Sequence, residues 1–172
     1  MRSIFFYVFT ILLLQPVFGQ FNIDEESVEI TFRFESKDVN GSISGFDSSS
    51  TIDFEDLDNS SFKGSVMAKT IETGNSIRDW SLKRSKYFNA DDYPRLYFES
   101  SSVYRSEGSA SYTVKGNLTL KGIVKPITWK FVKDGNTLVG TTTLFSSDFG
   151  INIKKKRADN KVKVKLTARL KQ

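Results

Sequence analysis

Apolar and polar residues trade places along most of this chain with a period of two, the rhythm of a strand with one wet face. Val28, Ile30, Phe32 and Phe34 alternate with Glu29, Thr31, Arg33 and Glu35. Ile127, Trp129 and Phe131 alternate with Thr128 and Lys130. The last stretch is the most regular: Val162, Val164, Leu166, Ala168 and Leu170 face one way, and Lys161, Lys163, Lys165, Thr167, Arg169 and Lys171 the other. Shorter strand signals fall at residues 43–46, 52–54, 62–68, 96–100, 103–104, 112–120 and 138–145. Asn40-Gly41 and Asp134-Gly135 are strong hairpin signals, residues 107–109 read as a turn, and residues 122–126 as a short connection.

One stretch breaks the rhythm. Residues 69–100 read as strand, tight turn, short helix, proline-marked loop and strand. Gly74 and Asn75 tolerate a left-handed turn. Ser76 followed by Asp79 matches a capping box, and the acid suits the start of a helix. Ile77, Trp80, Tyr87 and Phe88 are expected to face inward, with Arg78, Lys83, Arg84 and Lys86 in water. Pro94 forces the residue before it into extended geometry and ends the helical segment.

The pattern predicts an all-β fold: a single antiparallel barrel of about eight strands, lipocalin-like, with one short helix near residues 76–88. An outer-membrane barrel also alternates, but it turns apolar residues to lipid. The single helix, short strands and lysine-dense faces point to apolar inside and water outside. Such a barrel either fills its interior or holds one small ligand. The inward set mixes Phe32, Phe98, Trp129 and Phe131 with Ala68, Gly116, Gly140 and Ala168, and periodicity leaves both outcomes open.

Composition adds a compartment. Arg2, the apolar run at residues 4–14 and Val17-Phe18-Gly19 have the layout of a secretory signal peptide over residues 1–19, with an uncleaved anchor as the alternative. Residues 20–172 then form one domain and a periplasmic or secreted protein. The 172-residue chain has no cysteine, so burial must hold the fold without disulfides. Residues 20–99 carry nine Lys/Arg against sixteen Asp/Glu, and residues 100–172 fifteen against four. The split is expected to close by pairing strands of opposite sign, although one basic face for an anionic partner is an alternative.

The chemistry is mostly a matter of what is missing. With no histidine and no cysteine, the usual zinc, haem and copper ligands are gone, and so is Ser-His-Asp or Cys-His machinery. Glu25-Glu26 and Asp91-Asp92 are adjacent residues that point apart and read as solvated turns, not an acid–base pair. No phosphate-cradling glycine loop is present. The sequence points to a binding protein without cofactors, and not to an enzyme. Nucleic acid is disfavoured, because aromatics and lysines lie on opposite faces. Lys154-Lys155-Lys156-Arg157 is the sharpest charge feature and is expected either to clamp an anionic headgroup or to be a solvated loop.

A family resemblance is carried by Ile71-Glu72-Thr73-Gly74-Asn75, Arg78-Asp79-Trp80-Ser81-Leu82, Tyr87-Phe88-Asn89, Tyr93-Pro94, Phe98-Glu99-Ser100, the run from Val114 to Gly122, Pro126 and Asp148-Phe149-Gly150-Ile151. In that order they resemble the YceI-like family of exported, lipocalin-like barrels. The resemblance implies an elongated apolar cavity and a long-chain lipid or isoprenoid ligand. The chain departs from the family pattern at Phe34-Glu35-Ser36, where a histidine is usual, and at Ser146-Ser147, where an Asn-Arg pair is usual. The expected cavity lining is Phe32, Phe34, Trp80, Phe88, Phe98, Leu118, Trp129, Phe131 and Leu166. Open sheet edges would favour a homodimer.

Overall fold

The computed structural model describes residues 19–106 and 110–172. The leader expected over residues 1–19 lies outside them except for Gly19, and so does the turn expected at residues 107–109.

The first strand, β1 (Asn22–Phe34), turns through Glu35–Lys37 into β2 (Val39–Ile43). A two-residue β3 (Asp47–Ser48) and β4 (Lys63–Met67) precede the helix α1 (Ser76–Lys83). Then come β5 (Arg95–Arg105), β6 (Ser111–Leu120), β7 (Ile123–Asp134), β8 (Thr137–Phe145) and β9 (Lys161–Lys171). All nine strands lie in one antiparallel sheet in the order β2-β1-β9-β8-β7-β6-β5-β4-β3. Its two edge strands are thus neighbours in sequence, and the sheet curls to bring them round. Isolated bridges stitch the seam: Phe21 with Ile52, and Ser42 with Glu72. Between them the Ser48 N–H donates to Glu25 Oε1 at 2.7 Å. Glu25 is therefore a seam tie, not a free turn residue, and it is aimed there by a bulge in β1 between Asp24 and Glu29. The oppositely charged halves of the sequence meet where β1 lies beside β9: Glu35 bridges Lys161 and Lys163, and Asp24 meets Arg169.

Two turns differ from the sequence expectation. Asn40-Gly41 is no hairpin tip; it lies inside β2, opposite Arg33 and Phe32. The reversal falls earlier, with Asp38 in the left-handed region at φ 52°. Residues 122–126 are no loose connection either. Lys121 and Gly122 both take positive φ, which is hairpin-turn geometry, and β7 starts immediately afterwards.

The ladder between β7 and β8 is incomplete. β7 pairs with β6 along its length from Ile123 to Val132, but with β8 only from Lys130 to Asp134. Pro126 sits in the unpaired part, where a missing N–H costs nothing. The Thr128 carbonyl there accepts from the Thr142 hydroxyl at 2.7 Å. Below it the turn Ser146–Phe149 packs back, and Phe149 is almost wholly buried.

The interior divides in two. At one end Leu138, Ala168, Leu170, Tyr112 and Phe54 are buried and form a solid core. Toward the other end a second, smaller cluster of Leu120, Phe149 and Ile151 gathers Tyr87 and Phe88 from beyond α1. Among the described residues no helix is long and apolar enough to cross a membrane.

Candidate functional site

In the half of the barrel nearer α1 the inward side chains do not meet, and they enclose a cavity of about 520 Å³. Its extent can be followed along β9. Ala168 and Leu170 belong to the packed end, whereas Val162, Val164 and Leu166 border the hollow.

The walls stay thin because rings lie flat on glycines. Phe131 faces Gly140 across the β7–β8 ladder, and a Cβ at Gly140 would stand 2.3 Å from Phe131 Cε1. Phe32 covers Gly41 in the same way, at 2.3 Å from such a Cβ. Phe98 lies over Gly116, with its Cζ 2.6 Å from that position. A ring folded onto a glycine lines the wall instead of crossing the bore. The rings also support one another: Phe62 stacks on Phe131 at 5.2 Å, Phe131 on Trp129 at 5.7 Å, and Phe98 meets Trp129 edge-on at 6.4 Å. The sequence left open whether small inward residues make a cavity. Here the glycines make it by letting large neighbours lie down.

Eight of the nine expected lining residues border this cavity: Phe32, Phe34, Phe88, Phe98, Leu118, Trp129, Phe131 and Leu166. Trp80 is the exception. It stands 60% exposed on the outer face of α1, beside an Ile77 that is 79% exposed. The expected facing of the helix is therefore reversed. Arg78 and Leu82, one turn apart, look into the hollow, and Arg84 stacks over Trp80 on the outside at 4.6 Å. The cap is also one residue earlier than expected: Asn75 Oδ1 accepts from the Arg78 N–H at 3.0 Å. Asp79 instead accepts from the Thr73 hydroxyl. That hydroxyl and the Thr73 carbonyl hold the Arg78 guanidinium at 2.6 and 2.8 Å. A side chain tied to the turn before the helix fixes which face turns inward, a contact that helical periodicity does not reveal.

Two polar features of the cavity escaped the sequence reading. Arg78, Lys37 and Lys63 are the charged side chains on its border. The indole N–H of Trp129 is buried among apolar groups with no protein partner among the described residues. An unpaired buried donor of this kind usually has a partner in a folded protein.

The basic run at residues 154–157 lies elsewhere, and none of its four side chains borders the cavity. Arg157 forks both oxygens of Asp148 at 2.7 and 2.6 Å and lies 3.8 Å over the Phe145 ring. The loop is shaped by Asn160, which is fully buried. Its Oδ1 accepts from the N–H groups of Ile153 and Lys154, and its Nδ2 donates to the carbonyls of Lys154 and Lys156. Outside the barrel a second groove crosses β1, β9, β8 and β7, where Lys125 adds to the positive charge that acts on Asp148 and Lys130 and Lys165 make no ion pair among the described residues.

The ion pairs give a pH dependence. Arg157 holds the Asp148 carboxyl below the usual carboxylate range, Lys163 with Lys161 does so for Glu35, and Lys69 for Asp91. A carboxyl whose pKa is lowered by folding adds stability above its unfolded pKa, and that gain is lost as pH falls through the folded one. Urea unfolding should therefore be flat from neutral pH to the ordinary carboxylate range and weaken below it. Asp148→Asn should be less stable at neutral pH and converge on the wild type in acid.

The comparisons place this geometry among known proteins. The model of the YceI-like domain matches residues 21–170. A UPF0312 protein of Pseudomonas paraeruginosa is 29% identical over 168 residues, covering 89% of this chain and 87% of that one. Burkholderia cenocepacia BcnA superposes with a TM-score of 0.75 at 18% identity, over 88% of this chain and all of that one. A polyisoprenoid binding domain from Saccharophagus degradans, implicated in plant cell wall breakdown, superposes with a TM-score of 0.57 at 11% identity, over 88% and 97%.

Proposed function

The chain belongs to the YceI-like domain family, and from that premise we propose that it is an exported carrier holding one long apolar chain, isoprenoid or fatty acyl, in its barrel. The observation that carries the reading is the hollow itself, about 520 Å³, within the roughly 300–1,000 Å³ usual for ligand pockets. Its walls offer a chain contact on nearly every side. Each methylene withdrawn from water contributes about 0.8 kcal/mol, so ten or more carbons offset a large part of the ordering cost of association. The name of the Saccharophagus domain supports an isoprenoid among the possible ligands. The leader-like start of the sequence supports export.

Polar ends would be met at the α1 side. Arg78 spends Nε and one Nη on Thr73, which leaves its other N–H groups for a carboxylate or phosphate. Trp129 offers one more donor deeper in. We assign no catalytic step. The sequence has no histidine or cysteine, and no cluster of carboxylates suited to a metal occurs among the described residues.

The chain's two tryptophans allow a direct test. With Trp80→Phe, only Trp129 in the cavity wall reports. Brominated palmitate and a brominated prenyl alcohol should quench it saturably, and unbrominated chains should reverse the quenching. Fluorescence unchanged by either probe would remove the carrier reading.

A further inference from the structure

A surface helix normally turns its apolar residues inward, yet α1 shows water two of its three large apolar side chains, Ile77 and Trp80, and buries only Leu82. It does not stand alone. The β6–β7 hairpin projects at the same end of the barrel, with Ile123 and Val124 exposed just past its turn. Tyr93 packs against Gly122 at that turn and is itself exposed, and Lys121 Nζ donates to the Lys86 carbonyl at 3.4 Å. The segment after α1 thus touches the hairpin turn, so two elements present exposed apolar side chains at the same end of the barrel.

The charges around the patch leave a positive excess, with Lys69, Lys83, Arg84, Lys86 and Lys121 against Asp79, Asp91 and Asp92. Asp79 accepts from Thr73, Asp91 pairs with Lys69, and Asp92 accepts from the Asn89 side chain. Lys83, Lys86 and Lys121 make no ion pair among the described residues, and Arg84 acts on Asp91 only at longer range, behind Lys69. Arg84 and Lys86 instead lie over the rings of Trp80 and Tyr87. The result is a cation-rich rim beside exposed Trp, Ile and Val. Tryptophan favours the headgroup level of a bilayer, and lysine and arginine are drawn to anionic lipid.

We propose that this end of the barrel docks on an anionic bilayer surface, with Ile77 and Trp80 entering the headgroup layer and the four cations lying over lipid phosphates. A second copy of the chain is a poorer occupant, since it would bring the same cations face to face. The proposal goes beyond the carrier reading and gives it a loading place. Arg78 and Leu82, on the opposite face of the docked helix, border the cavity.

Co-sedimentation with vesicles tests it. The full chain should pellet with phosphatidylglycerol vesicles, weakly with phosphatidylcholine, and less as salt screens the contact. Ile77→Ser with Trp80→Ser should lower the partition coefficient by about tenfold or more. Lys83→Gln, Arg84→Gln and Lys86→Gln together should erase the preference for anionic lipid. All five side chains make only surface contacts, so an unchanged thermal midpoint verifies that each variant folds. Three results would overturn the proposal: a wild type that stays in the supernatant, variants that pellet as well as it does, or a solution dimer that buries Trp80. Trp129 quenching in vesicle-free solution keeps the two ideas apart. Quenching without sedimentation removes the docking alone, and sedimentation without quenching removes the carrier reading alone.

Discussion

Gly140→Val should abolish chain uptake while leaving a folded barrel. The new Cβ would stand where the Phe131 ring now lies, so the ring must lift. Outside it is the sheet itself, and the free direction is the hollow. Lifting the ring breaks its stacking with Phe62 and Trp129 and fills the bore. Overpacking of this kind costs about 1–3 kcal/mol, a loss that a fold of this size survives. Saturable quenching of Trp129 by brominated palmitate should disappear, with a lowered but cooperative urea transition. Adding Phe131→Leu withdraws the ring and should restore both uptake and most of the stability. Undiminished uptake in Gly140→Val would show that the glycine–ring pairs do not set the bore.

Asn160→Ala should be among the most destabilising single substitutions in the chain. One buried amide side chain holds two N–H groups and two carbonyls of residues 153–156. Removing it orphans three backbone groups at once, the Ile153 and Lys154 N–H groups and the Lys154 carbonyl, while the Lys156 carbonyl keeps the Asp159 N–H. Each buried orphan costs about 1–3 kcal/mol, and water admitted to the loop would recover part of that, leaving an expected loss of about 3–5 kcal/mol. Asn160→Asp keeps the two accepted bonds, but it sets a carboxylate against two carbonyls and should fall between alanine and wild type. Urea midpoints of the three proteins check the order. Lys155→Ser, on the exposed part of the same loop, should change little.

The strands were legible because one face is wet and the other is not, and that contrast survives in any sequence of this architecture. The register of Val162, Val164 and Leu166, the Asp134-Gly135 hairpin and the cavity-facing aromatics all followed from it. Three things did not. Asn40-Gly41 reads as a turn from local preference, yet Gly41 is there to admit the Phe32 ring, a cross-strand need that no local window contains. Trp80 and Ile77 look like core by hydrophobicity, but the Thr73 clasp on Arg78 rotates α1 the other way. The basic run at residues 154–157 drew attention by charge, whereas Asn160, which organises it, carries none. In each case a contact distant in sequence, or a single neutral side chain, outweighed the local signal.

The solid end built by Leu138, Ala168 and Leu170 makes the bore a blind socket. On the carrier reading proposed above, a tail held in the hollow would meet a stop at that end. Any length beyond the depth of the socket stays outside. On that reading, a sheet that is half plug and half sleeve would act as a gauge, sorting tails by how much of them can be hidden at once.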